Sequence, residues 1–260
     1  MATTKRDMVR GHKVLKGRLI FAVLFSLFGI IGIVAVFKII SIRAGYAEPE
    51  NEYADLRIYA PVISTASETQ TEQQSSIDTN YDLSSYDLSS YNLSSINPDY
   101  IGWIRIDGAD IDYPIVQGQD NAKYLSTSFS GENNKAGAIF MDYRCEDGFN
   151  GSFPLIHGHN MKDGSMFAAL HLFLDDAFLS QHSEIIIVTS EGEALRYRIL
   201  SVYVTDTNDR AFTLLESDEI TIERYCLELG VQEGEKILAL STCTNNNSDS
   251  ERLLLFAAME

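Results

Sequence analysis

Residues 236–256 read Lys236-Ile-Leu-Ala-Leu-Ser-Thr-Cys243, then Thr244-Asn-Asn-Asn-Ser-Asp-Ser-Glu251, then Arg252-Leu-Leu-Leu-Phe256. Two short apolar runs flank a polar loop, the pattern of a hairpin whose strands are buried. If the runs pair, Cys243 and Arg252 face one another across the hairpin mouth. A thiol at a strand end beside a guanidinium has an electropositive neighbour that favours thiolate. The same guanidinium can stabilise an oxyanion forming on a carbonyl that the sulfur attacks. A proton carrier is available in Leu155-Ile-His-Gly-His159, where another apolar run ends in imidazoles. A cysteine, a histidine and an arginine together suit acyl transfer through a thioester.

Outward from this hairpin the texture stays β-rich. Trp103–Ile106 and Ile111–Ile115 alternate apolar and polar residues, and Gly108 marks a turn between them. Ala138–Met141, Phe153–Ile156, Glu184–Val188 and Ala194–Val204 read as further strands, the last two joined by a hairpin at Ser190–Glu193. Helical spacing appears at Met166, Phe167, Leu170 and Leu174, and less regularly over Ile222–Leu229. About eight short strands with few helices predict a barrel or a sandwich, and exclude a TIM barrel or a doubly wound sheet.

The N-terminal third is different. Leu19–Phe37 carries no charge, and Ile39, Ile40 and Ile42 extend its apolar character past Lys38. Roughly 20 apolar residues at about 1.5 Å per residue span a bilayer core of roughly 30 Å. Lys5, Arg6, Arg10, Lys13, Lys16 and Arg18 precede the run, which places the N-terminus in the cytoplasm and the remainder outside. An uncleaved signal anchor is expected; a cleaved signal peptide would have a shorter apolar region. Residues 43–95 are rich in Ser, Thr, Asp, Glu and Gln and end in three repeats, Tyr81-Asp-Leu-Ser-Ser, Tyr86-Asp-Leu-Ser-Ser and Tyr91-Asn-Leu-Ser-Ser. This composition reads as a solvated stalk, with a short helix against the domain as the alternative. The expected organisation is therefore a basic cytoplasmic segment (1–18), a transmembrane anchor (19–42), a stalk (43–95) and a catalytic domain (96–260).

Charge follows the same division. The chain of 260 residues has a formal net charge of −17, yet residues 1–43 hold eight Lys and Arg against the single acid Asp7, leaving twelve against thirty-six beyond. An ectodomain this acidic is a poor partner for nucleic acid. Three cysteines exclude a disulfide-dense scaffold and a four-thiolate zinc site. Cys226 and Cys145 read as buried small hydrophobes, with a disulfide between them as the alternative. His157 and His159 would share a face of a regular strand, but no third ligand is evident nearby, so neither a metal nor a cofactor is expected. His12, His171 and His182 read as surface or helix residues.

Six blocks in order carry a resemblance: Asn97-Pro-Asp-Tyr-Ile-Gly-Trp103, Asp112-Tyr-Pro-Ile-Val-Gln-Gly118, Asp120-Asn-Ala-Lys-Tyr-Leu125, Gly137-Ala-Ile-Phe-Met-Asp-Tyr-Arg144, Gly158-His-Asn-Met-Lys-Asp-Gly-Ser-Met-Phe167 and Leu240-Ser-Thr-Cys-Thr244. Over about Asn97–Phe256 the chain resembles the sortases, membrane-anchored cysteine transpeptidases of Gram-positive bacteria, and among them class B. The resemblance implies a mainly β fold, a closed barrel of about eight strands with a few peripheral helices behind one transmembrane helix. It implies Cys243 as nucleophile, His159 as catalytic histidine and Arg252 as the arginine that steadies the substrate carbonyl or oxyanion. It places Asn121 and Leu125 in the groove for the sorting signal, with Ser241 and Thr242 beside the nucleophile. The position two before the catalytic histidine is usually Tyr in the family; here it is His157. The implied partners are surface proteins bearing a C-terminal sorting signal, of the Asn-Pro-x-Thr-Asn type or a Pro-x-Thr-Gly variant, and a peptidoglycan precursor or cross-bridge amine. Two other classes remain at this level: a cysteine hydrolase with the same dyad, and a non-enzymatic anchored adhesion ectodomain.

Overall fold

The computed structural model describes residues 25, 27–38, 52–61, 93–232, 234–243 and 250–260, with Cys243 described by its backbone alone. The chain divides into two compact units, Met1–Glu48 and Pro49–Glu260. In the first, residues 27–38 are helical with exposed apolar side chains such as Phe28, Ile33 and Phe37. Among the described residues no helix is long and apolar enough to cross a membrane. The remainder of the expected anchor lies outside them.

The second unit is a closed barrel. Its strands are β1 (Tyr100–Ile106), β2 (Ile111–Val116), β3 (Ile139–Met141), β4 (Leu155–His157), β5 (Glu184–Thr189), β6 (Ala194–Asp206), β7 (Ile237–Cys243) and β8 (Glu251–Met259). They close in the order β1-β2-β3-β4-β7-β8-β6-β5, with β5 returning onto β1. Closure leaves no sheet edge to protect. Neighbours are antiparallel except β2 with β3 and β4 with β7. A parallel pair cannot be joined by a tight turn. The long excursion from β4 to β7 therefore contains the β5–β6 hairpin and the helices Asp176–Gln181, Arg210–Leu214 and Glu219–Glu228.

The expected strands form, with shifted ends. The run at Phe153–Ile156 pairs only from Leu155, because Pro154 has no amide hydrogen to place in the ladder; its carbonyl still accepts from the Ala239 amide at 2.8 Å. The spacing around Met166–Leu174 gives a 3₁₀ helix, Ala168–Leu174, rather than an α-helix, and Asp175 caps the next helix by accepting from the Ala177 amide at 2.8 Å. The apolar residues of β7, from Ile237 to Leu240, are all fully buried, which is why this strand reads as a continuous run. Cys145 and Cys226 are buried and unbonded to each other.

At the described ends of the segment expected as a stalk (43–95), the chain packs on the domain, in keeping with the alternative of a short helix against it. Residues 52–59 are helical, and Tyr53, Leu56 and Leu93 belong to the same buried core as the barrel. Isolated apolar residues in a polar stretch cannot reveal a docking surface made elsewhere in the chain. The Tyr-Asp-Leu-Ser-Ser repeats up to Asn92 lie outside the described residues.

Candidate active site

The parallel register of β4 and β7 decides where the chemistry can gather. Leu155 pairs with Ala239, Ile156 with Leu240 and His157 with Ser241, and the Gly158 amide donates to the Ser241 carbonyl at 3.1 Å. Parallel neighbours finish on the same rim of a barrel, so the residues that follow, His159 and Cys243, leave the sheet at one level. β8 then runs back antiparallel, and its Arg252 is the register partner of Cys243. Three strands thus deliver the imidazole, the thiol-bearing residue and the guanidinium to one edge.

That edge encloses a cavity of ≈ 300 Å³. Asn121, Leu125, His159, Ser241, Thr242 and Arg252 all line it, together with Phe140, Asp142, Arg144, His157, Gly158, Thr207 and Phe212. Among the candidate site residues, the side chain of Cys243 lies outside the described residues. The half-buried His159 ring is fixed through Nε2, which donates to the Leu125 carbonyl oxygen at 2.8 Å. A carbonyl only accepts, so this bond sets the tautomer and leaves Nδ1 as the basic nitrogen of the neutral ring. The Arg252 guanidinium donates from Nη1 to the Glu251 carbonyl at 2.9 Å.

Behind these groups lies a charged network to which the sequence reading assigned no role. Asp142 follows β3 and its side chain is 0% exposed. Arg144 grips it with a fork, Nε to Oδ1 and Nη2 to Oδ2, both at 2.9 Å. His157 meets Oδ2 at 3.1 Å and Asn121 donates to the same oxygen at 2.8 Å. Burial alone would push the Asp142 carboxyl up. The Arg144 fork, the His157 ring and the Arg144 amide outweigh it and hold the group well below the usual carboxylate range. An ionised carboxylate only accepts, so Nε2 of His157 carries the proton of that bond. The His157 ring also packs on Phe140, centroids 5.2 Å apart. Asn121, expected as a groove residue, is tied to the floor of the cavity through Asp142 and through its Oδ1, which accepts from the Tyr143 amide at 3.0 Å. A readable signal was present in Asp142-Tyr-Arg144: an acid and a base two apart, directly after an apolar strand.

The other two thiols are poor nucleophiles. Burial pushes both Cys145 and Cys226 up to about 11, so each is protonated at neutral pH.

The model of the sortase domain matches residues 104–260. The chain belongs to the sortase family. It is similar to Sortase B of Listeria monocytogenes, 36% identical over 173 residues that cover 61% of this chain and 69% of that protein. Among solved structures, sortase B of Clostridium perfringens is 30% identical with a TM-score of 0.58, covering 66% of this chain and 100% of the other. Sortase B of B. anthracis in complex with AAEK1 is 28% identical with a TM-score of 0.62, covering 83% and 98%. This sortase is a class B enzyme, and class B membership implies a transpeptidase of cell-wall anchoring. His159, Thr242 and Arg252 line one cavity at the rim where β7 ends.

Proposed function

We propose that this class B sortase cleaves a C-terminal sorting signal after threonine and transfers the new carboxyl end to an amine of the peptidoglycan, with Cys243, His159 and Arg252 as its catalytic residues. The observation that carries the reading is the register that sets Cys243 opposite Arg252 and ends β4 beside Ser241. In the first half-reaction the Cys243 thiolate adds to the threonine carbonyl. Arg252 stabilises the oxyanion, and the C–N bond breaks as His159 gives a proton to the departing amine. The acyl group remains on sulfur as a thioester. An acceptor amine then attacks it, His159 takes the amine proton, and the thiolate is regenerated. Asn121, Leu125, Ser241 and Thr242 line the path of the signal. Residues 19–42 act as a single-pass anchor with the N-terminus cytoplasmic, 1–18 as its basic flank and 96–260 as the catalytic domain, so enzyme and both substrates share the outer membrane face and a raised effective concentration.

The test is a peptide of the Asn-Pro-x-Thr-Asn type with intact-mass detection of the adduct. The wild-type protein gains the acyl mass on Cys243, and Cys243→Ala gains none. Cleavage by Cys243→Ala at the wild-type rate ends the proposal. Added cross-bridge-like amine should appear in the product; product formed by water alone, whatever the amine concentration, makes the enzyme a hydrolase instead.

A further inference from the structure

Tyr53 lies on the 52–61 segment, far in sequence from the cavity, yet two chains of contacts link it to His159. Its hydroxyl donates to the Gly137 carbonyl at 2.6 Å and accepts from the Phe129 amide at 3.3 Å. Gly137 has φ +58, and a Cβ there would collide with the Tyr124 carbonyl, so this backbone lies flat against Tyr124-Leu125. The Ala138 amide donates to the Tyr124 carbonyl at 3.0 Å. The next carbonyl, that of Leu125, is the one that fixes Nε2 of His159. This first arm runs from Tyr53 to the imidazole.

A second arm runs to the histidine backbone. The Tyr53 ring packs edge-on against Tyr113, centroids 5.4 Å apart. The Tyr113 hydroxyl accepts from the Met166 amide at 3.1 Å. Met166 has φ +58, which a non-glycine residue adopts only when its surroundings hold it there. It also pairs with Asn160, while the Phe167 amide donates to the His159 carbonyl at 2.9 Å, closing the loop that carries the histidine. A cavity of ≈ 310 Å³ lined by Tyr53, Arg57, Tyr113, Asp163 and Met166 lies beside this contact. The loop has empty space to move into if the Tyr113 bond is lost.

We infer that the 52–61 segment is part of the catalytic unit and that Tyr53, with Tyr113, is a positioning residue for His159. The inference rests on the proposed role of His159. Neither tyrosine touches the substrate cavity, so the effect falls on proton transfer rather than on peptide binding. Misplacement of a catalytic group by about 1 Å costs on the order of a hundredfold, and a loosened one should cost about tenfold.

The experiment uses the full chain and single-hydroxyl deletions: Tyr53→Phe, Tyr113→Phe, and Tyr197→Phe as the control, a buried tyrosine at the end of β6 remote from Arg252. Expected are a kcat lowered about tenfold at unchanged KM for both Tyr53→Phe and Tyr113→Phe, wild-type kinetics for Tyr197→Phe, and no further loss when Tyr53→Phe is added to His159→Ala. Wild-type kcat in both tyrosine variants overturns the inference. So does an equal kcat loss in all three that tracks their thermal midpoints, which would be a general stability effect. If His159→Ala is itself fully active, the proposed function falls and the inference with it. If His159→Ala is inactive while the tyrosine variants match the wild type, only the inference falls.

Discussion

Arg252 and Arg144 line one cavity, yet their environments assign them opposite kinds of work. Arg252 sits opposite Cys243 at the rim, where the proposed mechanism develops charge during acyl transfer. Loss of one such donor typically costs about 3 kcal/mol of barrier, roughly a hundredfold. Arg252→Ala is therefore expected to keep its thermal midpoint and its peptide KM while kcat drops roughly a hundredfold; a variant within twofold of wild type would remove Arg252 from the mechanism. Arg144 instead neutralises a carboxylate with no solvent of its own. Breaking a buried pair from one side costs roughly 3–5 kcal/mol, and Arg144→Met should lie near 3 because His157 and Asn121 still contact Asp142. Denaturant unfolding measures this directly. An unchanged midpoint would mean that water reaches Asp142.

At the scale of elements, the parallel pairing of β4 with β7 makes one rim out of residues 84 positions apart, and Gly158 is the joint on which this depends. A Cβ there would stand 2.6 Å from Ile139 Cδ1 and 2.6 Å from the Phe167 ring. Overpacking of this kind costs typically about 1–3 kcal/mol. Because Gly158 separates the last residue of β4 from His159, Gly158→Ala should lower kcat as well as stability. Paired thermal and kinetic assays test this, and a variant that loses stability but keeps full kcat would show the histidine loop to be independent of β4. The sequence made the strands legible, since short apolar runs bounded by turn residues have few other readings. It also made Cys243 and Arg252 legible as a pair, because a hairpin is a local object. Asp142 and the docking of Tyr53 were not, because their partners come from other strands and loops.

For the whole molecule, the depressed Asp142 carboxyl links stability to pH. A group ionised more readily when folded than when unfolded contributes stability that is present above its unfolded pKa of about 3.9 and is lost as pH falls below it toward the folded value. The sign is therefore destabilising toward acid. Asp142→Asn should be less stable than wild type at pH 7, and the gap should narrow progressively below about pH 5. Urea titrations at a series of pH values read the gap directly; a gap independent of pH would assign the acid sensitivity to other carboxylates. Comparison with the same variant also subtracts the change in general repulsion as an acidic domain is neutralised.

By itself the sequence determined the local chemistry and its order along the chain: an apolar run behind basic residues, a set of short strands, a thiol and a guanidinium at the two ends of one loop, and six family blocks. Those features depend on composition and near neighbours, which a linear reading contains. Only the tertiary structure decided that β4 and β7 lie side by side in parallel, that Asp142 gathers Arg144, His157 and Asn121 beneath the cavity, and that Tyr53 and Leu56 are buried in the core. Each of these is a long-range closure, fixed by which surfaces can be buried together, and no spacing along the chain encodes it.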